Sequence, residues 1–194
     1  MPRETSHFQD TEPFLEKFLC KMRFKKIMHR ISPKSEILDL GCGYNANFLR
    51  SIESKISYGV GIDISVNKNI NGGKIKLLEH DLSHQLPIPE KRFDIVTSLA
   101  NLEHLNNPEI VFGEIYRVLK VGGLLFLTTP SIYAKPVLEF LSFELKLISE
   151  HEIRDHKNYF NRQILADYCK SVGFHTWDHR YFQMGMNNLL IAQK

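Results

Sequence analysis

Short apolar segments alternate with helical segments along most of the chain, and this alternation restricts the fold more than any other feature of the sequence. Strands that are covered on both faces consist mainly of apolar and β-branched residues. Five segments of this kind are predicted as strands: 36–40, 58–64, 75–79, 93–98 and 124–128. Because repeated strand–helix–strand units form parallel sheets with right-handed crossovers, the sequence predicts a doubly wound, Rossmann-like α/β domain.

Helical patterns separate the strands, and a final pair of strands follows them. The clearest helix has Asn107 as its N-cap, Pro108 at its first position and the glycines at 122–123 as its stop. The predicted helices are 46–52, a short segment at 66–70, 108–119 and 163–171, and the predicted final strands are 174–182 and 187–192. These elements place one α/β domain over residues 36–194.

Two segments do not follow the alternation. Residues 130–160 contain a helical stretch at 137–148 and a polar loop with histidines. They follow the fifth strand at the carboxyl edge of the sheet, where open α/β folds bind ligands, so we predict a substrate lid there. Residues 1–35 are predicted as a basic, amphipathic helical extension. We expect its apolar stripe to pack on the domain, and the alternative is that its basic face binds phosphate, anionic lipid or nucleic acid.

Composition and charge limit the class of protein. The chain has 194 residues, of which 43% are hydrophobic and 24% charged, as in ordinary globular domains. Its three cysteines have no CxxC spacing and fit a reducing compartment. The sequence has no apolar run of about 20 residues and no signal peptide. We therefore expect a cytoplasmic protein without a transmembrane segment.

The stretch ILDLGCGYNANFLR, residues 37–50, connects the first predicted strand to the first helix through two glycines. It has three interpretations: a turn that only requires positive φ, a dinucleotide site, or a site for S-adenosylmethionine. Gly41, Gly43 and Ala46 match the pattern GxGxxG/A, and Asp63 follows about 20 residues later, as in dinucleotide-binding domains. The glycine pattern alone leaves the ligand open.

The charges at the strand ends favour S-adenosylmethionine. A pyrophosphate binds helix N-termini and backbone amides, and Asp39 would place a second anion in the same crevice. S-adenosylmethionine carries an ammonium and a sulfonium instead, and Asp39 can pair with the ammonium. Asp63 suits the ribose hydroxyls, and Asp81 suits the adenine amino group. Acids at the ends of three successive strands therefore favour this cofactor.

Four segments together resemble a known family. They are ILDLGCG, GVGIDIS, EHDLSHQLPIPEKRFDIVTSLANLEHL and EIYRVLKVGGLLFLTTP. In order and spacing they resemble the class I S-adenosylmethionine-dependent methyltransferases, most closely the branch that contains quinone-biosynthesis and many small-molecule methyltransferases. The resemblance is close over residues 36–130. It implies a seven-stranded sheet with an antiparallel last strand, helices on both faces, and S-adenosylmethionine as cofactor.

The resemblance also implies the cofactor-binding residues. They are Asp39, Gly41, Cys42, Gly43, Asn45, Asp63, Ile64, Asp81, Leu82 and Ser98. Many relatives have a third glycine where this chain has Asn45. Because Asn is one of the few residues that tolerate the left-handed conformation, we expect the turn to be retained with Asn45 at that position.

Histidines are the candidate catalytic residues. The methyl group on a sulfonium is already electrophilic, so the protein mainly has to position the acceptor, and a hydroxyl or amine acceptor also needs a base. His104 beyond the fourth strand, and His151 and His156 in the lid, are our candidates. Glu103 and His104 with Glu150 and His151 offer oxygen and nitrogen ligands. Without HxxxH or CxxC spacing, we predict no metal.

Our leading hypothesis is therefore methyl transfer to a small-molecule acceptor at a hydroxyl, amine or carbon, with sugars, lipid-linked compounds and quinones as examples. Alternatives are an RNA or protein methyltransferase that uses the basic N-terminal helix, an inactive cofactor-binding regulatory module, and a nicotinamide dehydrogenase. The sequence SLAN stands where a base N-methyltransferase often has N/D-P-P-Y/F, so there is no strong nucleic-acid signal. Peripheral membrane contact through the helix stays open, and no feature indicates the oligomeric state.

Overall fold

The computed structural model describes residues 14–144 and 153–194. Its strands are β1 (Glu36–Leu40), β2 (Tyr58–Asp63), β3 (Ile75–Glu79), β4 (Phe93–Leu99), β5 (Leu119–Pro130), β6 (Thr176–Phe182) and β7 (Asn187–Gln193). Its helices are α1 (Phe14–Met28), α2 (Asn47–Ile52), α3 (Pro108–Val118), α4 (Ala134–Glu139) and α5 (Arg162–Val172). Short 3-10 turns lie at Lys68–Ile70 and Leu102–His104, and a π-helical turn at Phe140–Glu144 follows α4.

The strands form one seven-stranded sheet in the order β3-β2-β1-β4-β5-β7-β6. The strands from β1 to β5 pair in parallel, and β7 is antiparallel to both of its neighbours. The predicted fold class is therefore confirmed. The strand order reverses between β1 and β4, and open α/β sheets bind their ligands at the carboxyl edge next to such a reversal.

One boundary differs from the prediction. The helix α3 ends at Val118, and β5 begins at once because Leu119 already has extended backbone angles, φ −68° and ψ 136°. Gly122, which we predicted as part of a helix stop, lies inside β5 with φ 80°. The pairing of β4 with β5 also changes register between Phe93 and Ile95. Gly122 and Gly123 thus lie in the irregular first part of β5 and do not end α3.

Helices cover both faces of the sheet. Apolar side chains of α3 and α5 pack into one core, and those of α1 and α2 pack into the other. Ile27 of α1 is fully buried, whereas Lys25 and Lys26 are exposed. The end of α1 therefore packs on the domain through Ile27, whereas Phe18 in its first half is 51% exposed, and the amphipathic character of the whole extension stays a prediction. A cavity of about 160 Å³ lies between the end of α1 and the last two strands, and Lys26, Arg30 and Arg180 contribute to its lining.

The predicted lid is described in part. The helix α4 and the π-helical turn occupy its first half, so the helical stretch begins at Ala134, three residues earlier than predicted. The rest of that stretch, from residue 145 onward, lies outside the described residues. Within the described ranges, no helix is long and apolar enough to cross a membrane.

Candidate active site at the carboxyl edge of the sheet

The glycine turn after β1 uses three residues in the left-handed region. Gly41 and Gly43 have φ values of 73° and 70°, and Ala46 has φ 45° directly before α2. Asn45 is not among the residues with positive φ. The expectation that Asn45 takes the left-handed position is therefore wrong, because the turn places that conformation one residue later. The Asn45 Oδ1 instead accepts a long hydrogen bond of 3.4 Å from Asn67.

Asn45→Gly is expected to leave the affinity for S-adenosylmethionine within about threefold of the parent value. The substitution removes one weak hydrogen bond and adds backbone freedom that destabilises the fold by about 0.5–1 kcal/mol. Titration calorimetry and urea unfolding measure the two effects. A loss of affinity of about tenfold or more would mean that the Asn45 side chain touches the cofactor.

Asp63 at the end of β2 contacts the glycine turn through one carboxylate oxygen and the backbone of the next residue through the other. The Gly43 N–H donates to Oδ2 at 2.9 Å, and the Ile64 N–H donates to Oδ1 at 2.8 Å. Hydrogen bonds to a carboxylate are stronger than those between neutral groups. Asp63 therefore fixes the position of the turn as well as presenting an acid at the sheet edge.

Asn101, which the sequence analysis did not identify, packs against Gly41. A Cβ atom at Gly41 would come within 2.6 Å of the Asn101 Cβ, so only glycine fits there. The Asn101 side chain is 7% exposed, and its Nδ2 has no hydrogen-bond partner among the described residues. Buried polar atoms nearly always have partners, so this amide is a candidate contact for a bound molecule. The signal in the sequence was its position directly beyond β4.

A cavity of about 400 Å³ opens at this edge. It brings together six residues that the sequence analysis predicted: Gly41, Asp63, Ile64, Asp81, Leu82 and His104. It also includes six that it did not assign to the site: Ser83, Asn101, Leu105, Asn106, Asp155 and Lys157. These additional residues belong to loops after β3 and β4 and to the segment 130–160, the predicted lid. Loops have no periodic pattern, so the sequence alone did not indicate which of their side chains reach the cavity.

Five of the ten predicted cofactor residues do not line the cavity: Asp39, Cys42, Gly43, Asn45 and Ser98. Asp39 is 3% exposed, and its Oδ1 accepts a 2.6 Å hydrogen bond from the Thr97 hydroxyl. Ser98 is fully buried, and Cys42 lies under the turn with its thiol 3.4 Å from the Gly43 carbonyl oxygen. Burial raises the pKa of Asp39 to about 7. The roles of these residues in cofactor binding stay predictions.

The buried Asp39 gives the protein a specific pH dependence. Since its pKa is 3.8 without the burial effect and about 7 in the fold, the folded protein retains this proton where the unfolded chain has lost it. The contribution of Asp39 to the free energy of unfolding is therefore greatest below pH 3.8. It decreases as the pH rises from there to about 7.

Asp39→Asn is expected to remove this decrease and to raise the free energy of unfolding at slightly alkaline pH by roughly 1–4 kcal/mol, because one pKa unit corresponds to about 1.4 kcal/mol. Urea unfolding of both proteins across the window measures the difference. If the free energies of unfolding of the parent and the variant changed with pH in parallel, the raised pKa of Asp39 would be contradicted.

Two of the predicted histidines are in contact beside the cavity, and of these His104 lines it. His104 Nδ1 lies 2.9 Å from Asp155 Oδ2, and the rings of His104 and His156 are in edge contact at 4.9 Å between centroids. Burial and the neighbouring His104 lower the pKa of His156 to about 4, so its imidazole is neutral at neutral pH. His151 lies outside the described residues. The structure thus joins two of the three candidates and adds Asp155 to them.

The cavity fits the cofactor that the resemblance implies. Its charged lining consists of the acids Asp63, Asp81 and Asp155 with one cation, Lys157. A mainly acidic lining suits a ligand with an ammonium and a sulfonium, and it disfavours a pyrophosphate. The Asn101 amide and the carboxylate at Asp63 add polar partners for hydroxyl and heterocyclic groups. The lining is therefore compatible with S-adenosylmethionine.

Comparison with known proteins agrees with this geometry. The profile of the family described as methyltransferase domain matches residues 14–179. The chain is 28% identical over 136 residues to the ubiquinone/menaquinone biosynthesis C-methyltransferase of Stenotrophomonas maltophilia. The aligned region covers 60% of this chain and 52% of that protein. It is 36% identical over 105 residues to the mitochondrial ubiquinone biosynthesis O-methyltransferase of Candida albicans, covering 48% of this chain and 32% of that protein. The chain thus spans about half or less of the length of these relatives.

Solved structures show the same fold. An S-adenosylmethionine-dependent methyltransferase from Archaeoglobus fulgidus superimposes with a TM-score of 0.71 at 17% identity, covering 92% of this chain and 94% of that one. At this identity the likeness concerns the fold, whereas the family profile covers most of the sequence. Together with the sheet order and the acids at the strand ends, these findings show that the chain belongs to the class I S-adenosylmethionine-dependent methyltransferases.

Proposed function

We propose that this protein transfers the methyl group of S-adenosylmethionine to a small-molecule acceptor that binds beside His104. The observation that carries the proposal is the continuous cavity of about 400 Å³, which joins the acids at the strand ends to the His104–Asp155 wall. One side of it offers partners for the cofactor, and the other offers a pair of polar groups for the acceptor. A cavity of this size suits a small molecule.

The cofactor side is built by the glycine turn and the strand ends. Asp63 would hold the ribose hydroxyls while it fixes the turn, and Asp81 would accept from the adenine amino group. The side chain of Asp81 is 58% exposed, and its Oδ1 accepts from the Ser83 N–H at 2.8 Å. When bound, the cofactor supplies an electrophilic methyl group, so the protein needs no covalent nucleophile of its own.

The acceptor side is built by the turn after β4 and by the lid. The carboxylate of Asp155 orients the His104 ring, and the backbone of the lid is attached to the same turn, because Lys157 and Asn158 both donate N–H groups to the Glu103 carbonyl oxygen. Holding an acceptor atom close to the methyl group and in line with the sulfur can contribute about 7–11 kcal/mol to catalysis. The relatives compared above are named as a C-methyltransferase and an O-methyltransferase of quinone biosynthesis, which supports an acceptor of phenol or quinol type.

Titration calorimetry and a methyl-transfer assay test the proposal. S-adenosylmethionine and its demethylated product should both bind with one site per chain. Radiolabelled methyl groups should then appear on members of a panel of short-chain quinols, catechols and simple phenols. The absence of binding heat at millimolar cofactor would overturn the proposal, as would binding without transfer to any compound of the panel.

His104→Gln is expected to lower turnover about tenfold or more, which corresponds to about 1.4 kcal/mol of barrier. The cofactor affinity should stay within about threefold, because the ring lies at the acceptor side. Steady-state kinetics with a saturating acceptor and calorimetry separate these two effects. A large loss of cofactor affinity with unchanged turnover would place His104 at the cofactor and contradict the assignment.

A further inference from the structure

Three side chains at the acceptor wall could hold a cation together. Glu103 and His104 lie in the 3-10 turn after β4, and His156 lies in the lid more than fifty residues later. One ligand atom of each, a carboxylate oxygen and two imidazole nitrogens, lies within 4.8 Å of the others. Atoms bound to a tetrahedral ion at about 2.1 Å are about 3.4 Å apart, so side-chain movements of about 1 Å would bring all three into coordination.

Each of these three side chains has a hydrogen-bond partner behind it. Asp155 contacts His104 Nδ1 at 2.9 Å. The Thr129 hydroxyl donates to Glu103 Oε2 at 3.1 Å, and the Tyr159 hydroxyl lies 3.3 Å from His156 Nδ1. Metal-binding histidines almost always use their second ring nitrogen in this way, and metal-binding carboxylates are similarly hydrogen-bonded. The cluster therefore has both the ligands and the supporting contacts of a metal site.

Burial shields the carboxylate of this cluster from water. Glu103 is 1% exposed, and its Oε2 accepts from the Thr129 hydroxyl. A divalent ion bound beside it would act in a medium of low dielectric constant, where the attraction between a cation and a carboxylate is stronger than in water.

We propose that Glu103, His104 and His156 bind one divalent transition-metal ion at the acceptor wall of the cavity. Two imidazoles and one carboxylate favour zinc and its neighbours in the first transition row over magnesium and calcium, which prefer oxygen ligands. Three protein ligands leave at least one coordination position for another molecule. Of the three ligands, His104 lines the cavity, so the ion would lie next to the space proposed for the acceptor.

The site would also narrow the class of acceptor. A cation there would lower the pKa of an acceptor hydroxyl presented to it, which favours phenols and quinols with an oxygen as the methylated atom. In that reaction the hydroxyl loses its proton to solvent, the oxygen forms a bond to the methyl carbon, and the carbon–sulfur bond breaks to leave the neutral thioether. This consequence rests on the proposed function, whereas metal binding itself does not.

The proposal departs from the sequence-based prediction of no metal. That prediction used the spacing of ligands along the chain, and adjacent residues such as Glu103 and His104 match no common metal motif. The third ligand comes from the lid, and only the folded chain brings it to the turn after β4. Spacing rules detect sites within one helix or loop, so they do not detect this one.

Calorimetry with the metal alone tests the site. Tag-free protein, stripped with a chelator, should bind one Zn²⁺ per chain and should bind Mn²⁺ more weakly and Mg²⁺ hardly at all. His156→Ala and Glu103→Gln should each weaken Zn²⁺ binding about 30-fold or more, and Asp155→Asn about tenfold through the His104 ring. His84→Ala is the matched control, because His84 is an exposed histidine beside Asp81, and it should change the affinity less than about threefold.

The outcomes separate the site from adventitious binding and from the proposed function. No stoichiometric Zn²⁺ binding, or equal affinities in His156→Ala and His84→Ala, would overturn the metal site. Circular dichroism of each variant identifies loss of folding. If Glu103→Gln does not fold, the Zn²⁺ affinity of Asp155→Asn, a change at a partly exposed residue, tests the metal site in its place. Cofactor titration of the stripped protein is a separate readout, so a failed metal site leaves the methyltransferase proposal intact, and the reverse also holds.

Discussion

Gly41→Ala should reduce the affinity for S-adenosylmethionine about 1,000-fold or abolish detectable binding. Each factor of ten in affinity corresponds to about 1.4 kcal/mol of binding free energy. Two effects combine. The φ of 73° costs a non-glycine residue roughly 1–2 kcal/mol in the free energy of unfolding, as at Gly43, and favours a different path of the turn. The new Cβ would also overlap the Asn101 side chain, whose Cβ lies 2.6 Å away, and such overpacking typically costs about 1–3 kcal/mol. Relief of the overlap would move Asn101 or the turn, and both line the cavity.

Gly43→Ala is the matched control for this prediction. Gly43 has almost the same φ, 70°, but a Cβ there would meet no atom within 4 Å. We therefore expect only the conformational cost of about 1–2 kcal/mol in the free energy of unfolding, with a loss of cofactor affinity below about tenfold. Calorimetry and urea unfolding of the two variants measure the difference. Equal effects on affinity would mean that the overlap with Asn101 has no part in cofactor binding.

Asp63→Asn is expected to reduce the cofactor affinity by about 100-fold, or roughly 2.8 kcal/mol, and to lower the free energy of unfolding by about 1–3 kcal/mol. Its two oxygens accept the N–H groups of Gly43 and Ile64. An amide can offer only one oxygen, so its NH₂ group would face one of these N–H donors. The variant therefore loses the proposed ribose contact and also disturbs the glycine turn.

Asp81→Asn separates the two contributions, because its carboxylate lies at the same edge but accepts from Ser83 and not from the glycine turn. It should weaken cofactor binding by about tenfold while the free energy of unfolding changes by less than about 1 kcal/mol. Thermal or urea unfolding with and without cofactor measures both quantities. An Asp63→Asn variant that binds the cofactor within about threefold of the parent would contradict the role given to Asp63.

Local patterns predicted the parts of the site that depend on strand ends. Asp63 and Asp81 were found because residues at the carboxyl ends of neighbouring parallel strands lie at one sheet edge whatever the loops do. Gly41 was found because its turn must change direction within a few residues. The same reasoning failed at Asn45, since the pattern places a left-handed residue in the turn but does not decide between neighbouring positions. The helix α2 begins after Ala46, and this start fixes the choice.

The lid and the loops were predicted less well. Asn101 was missed because its role depends on the path of the backbone at Gly41, which lies sixty residues earlier in the chain. Asp155 lies in the polar part of residues 130–160 and was not assigned to the site, yet it is the partner of His104. Both contacts join segments that are far apart in sequence, and neither segment has a periodic pattern that fixes the direction of its side chains.

The sequence by itself determined the fold class, the family and the acids that mark the cofactor edge of the sheet. These features follow from hydrophobic periodicity, glycine turns and strand ends, all of which act over a few residues. The tertiary structure alone decided that Asp39 and Ser98 are buried and do not line the cavity, that Asn101 packs against Gly41, and that the chain after α4 brings His156 to His104 and Glu103. The physical reason is that such contacts depend on the order of the strands and on how long connections pack over them, and these are properties of the whole folded chain.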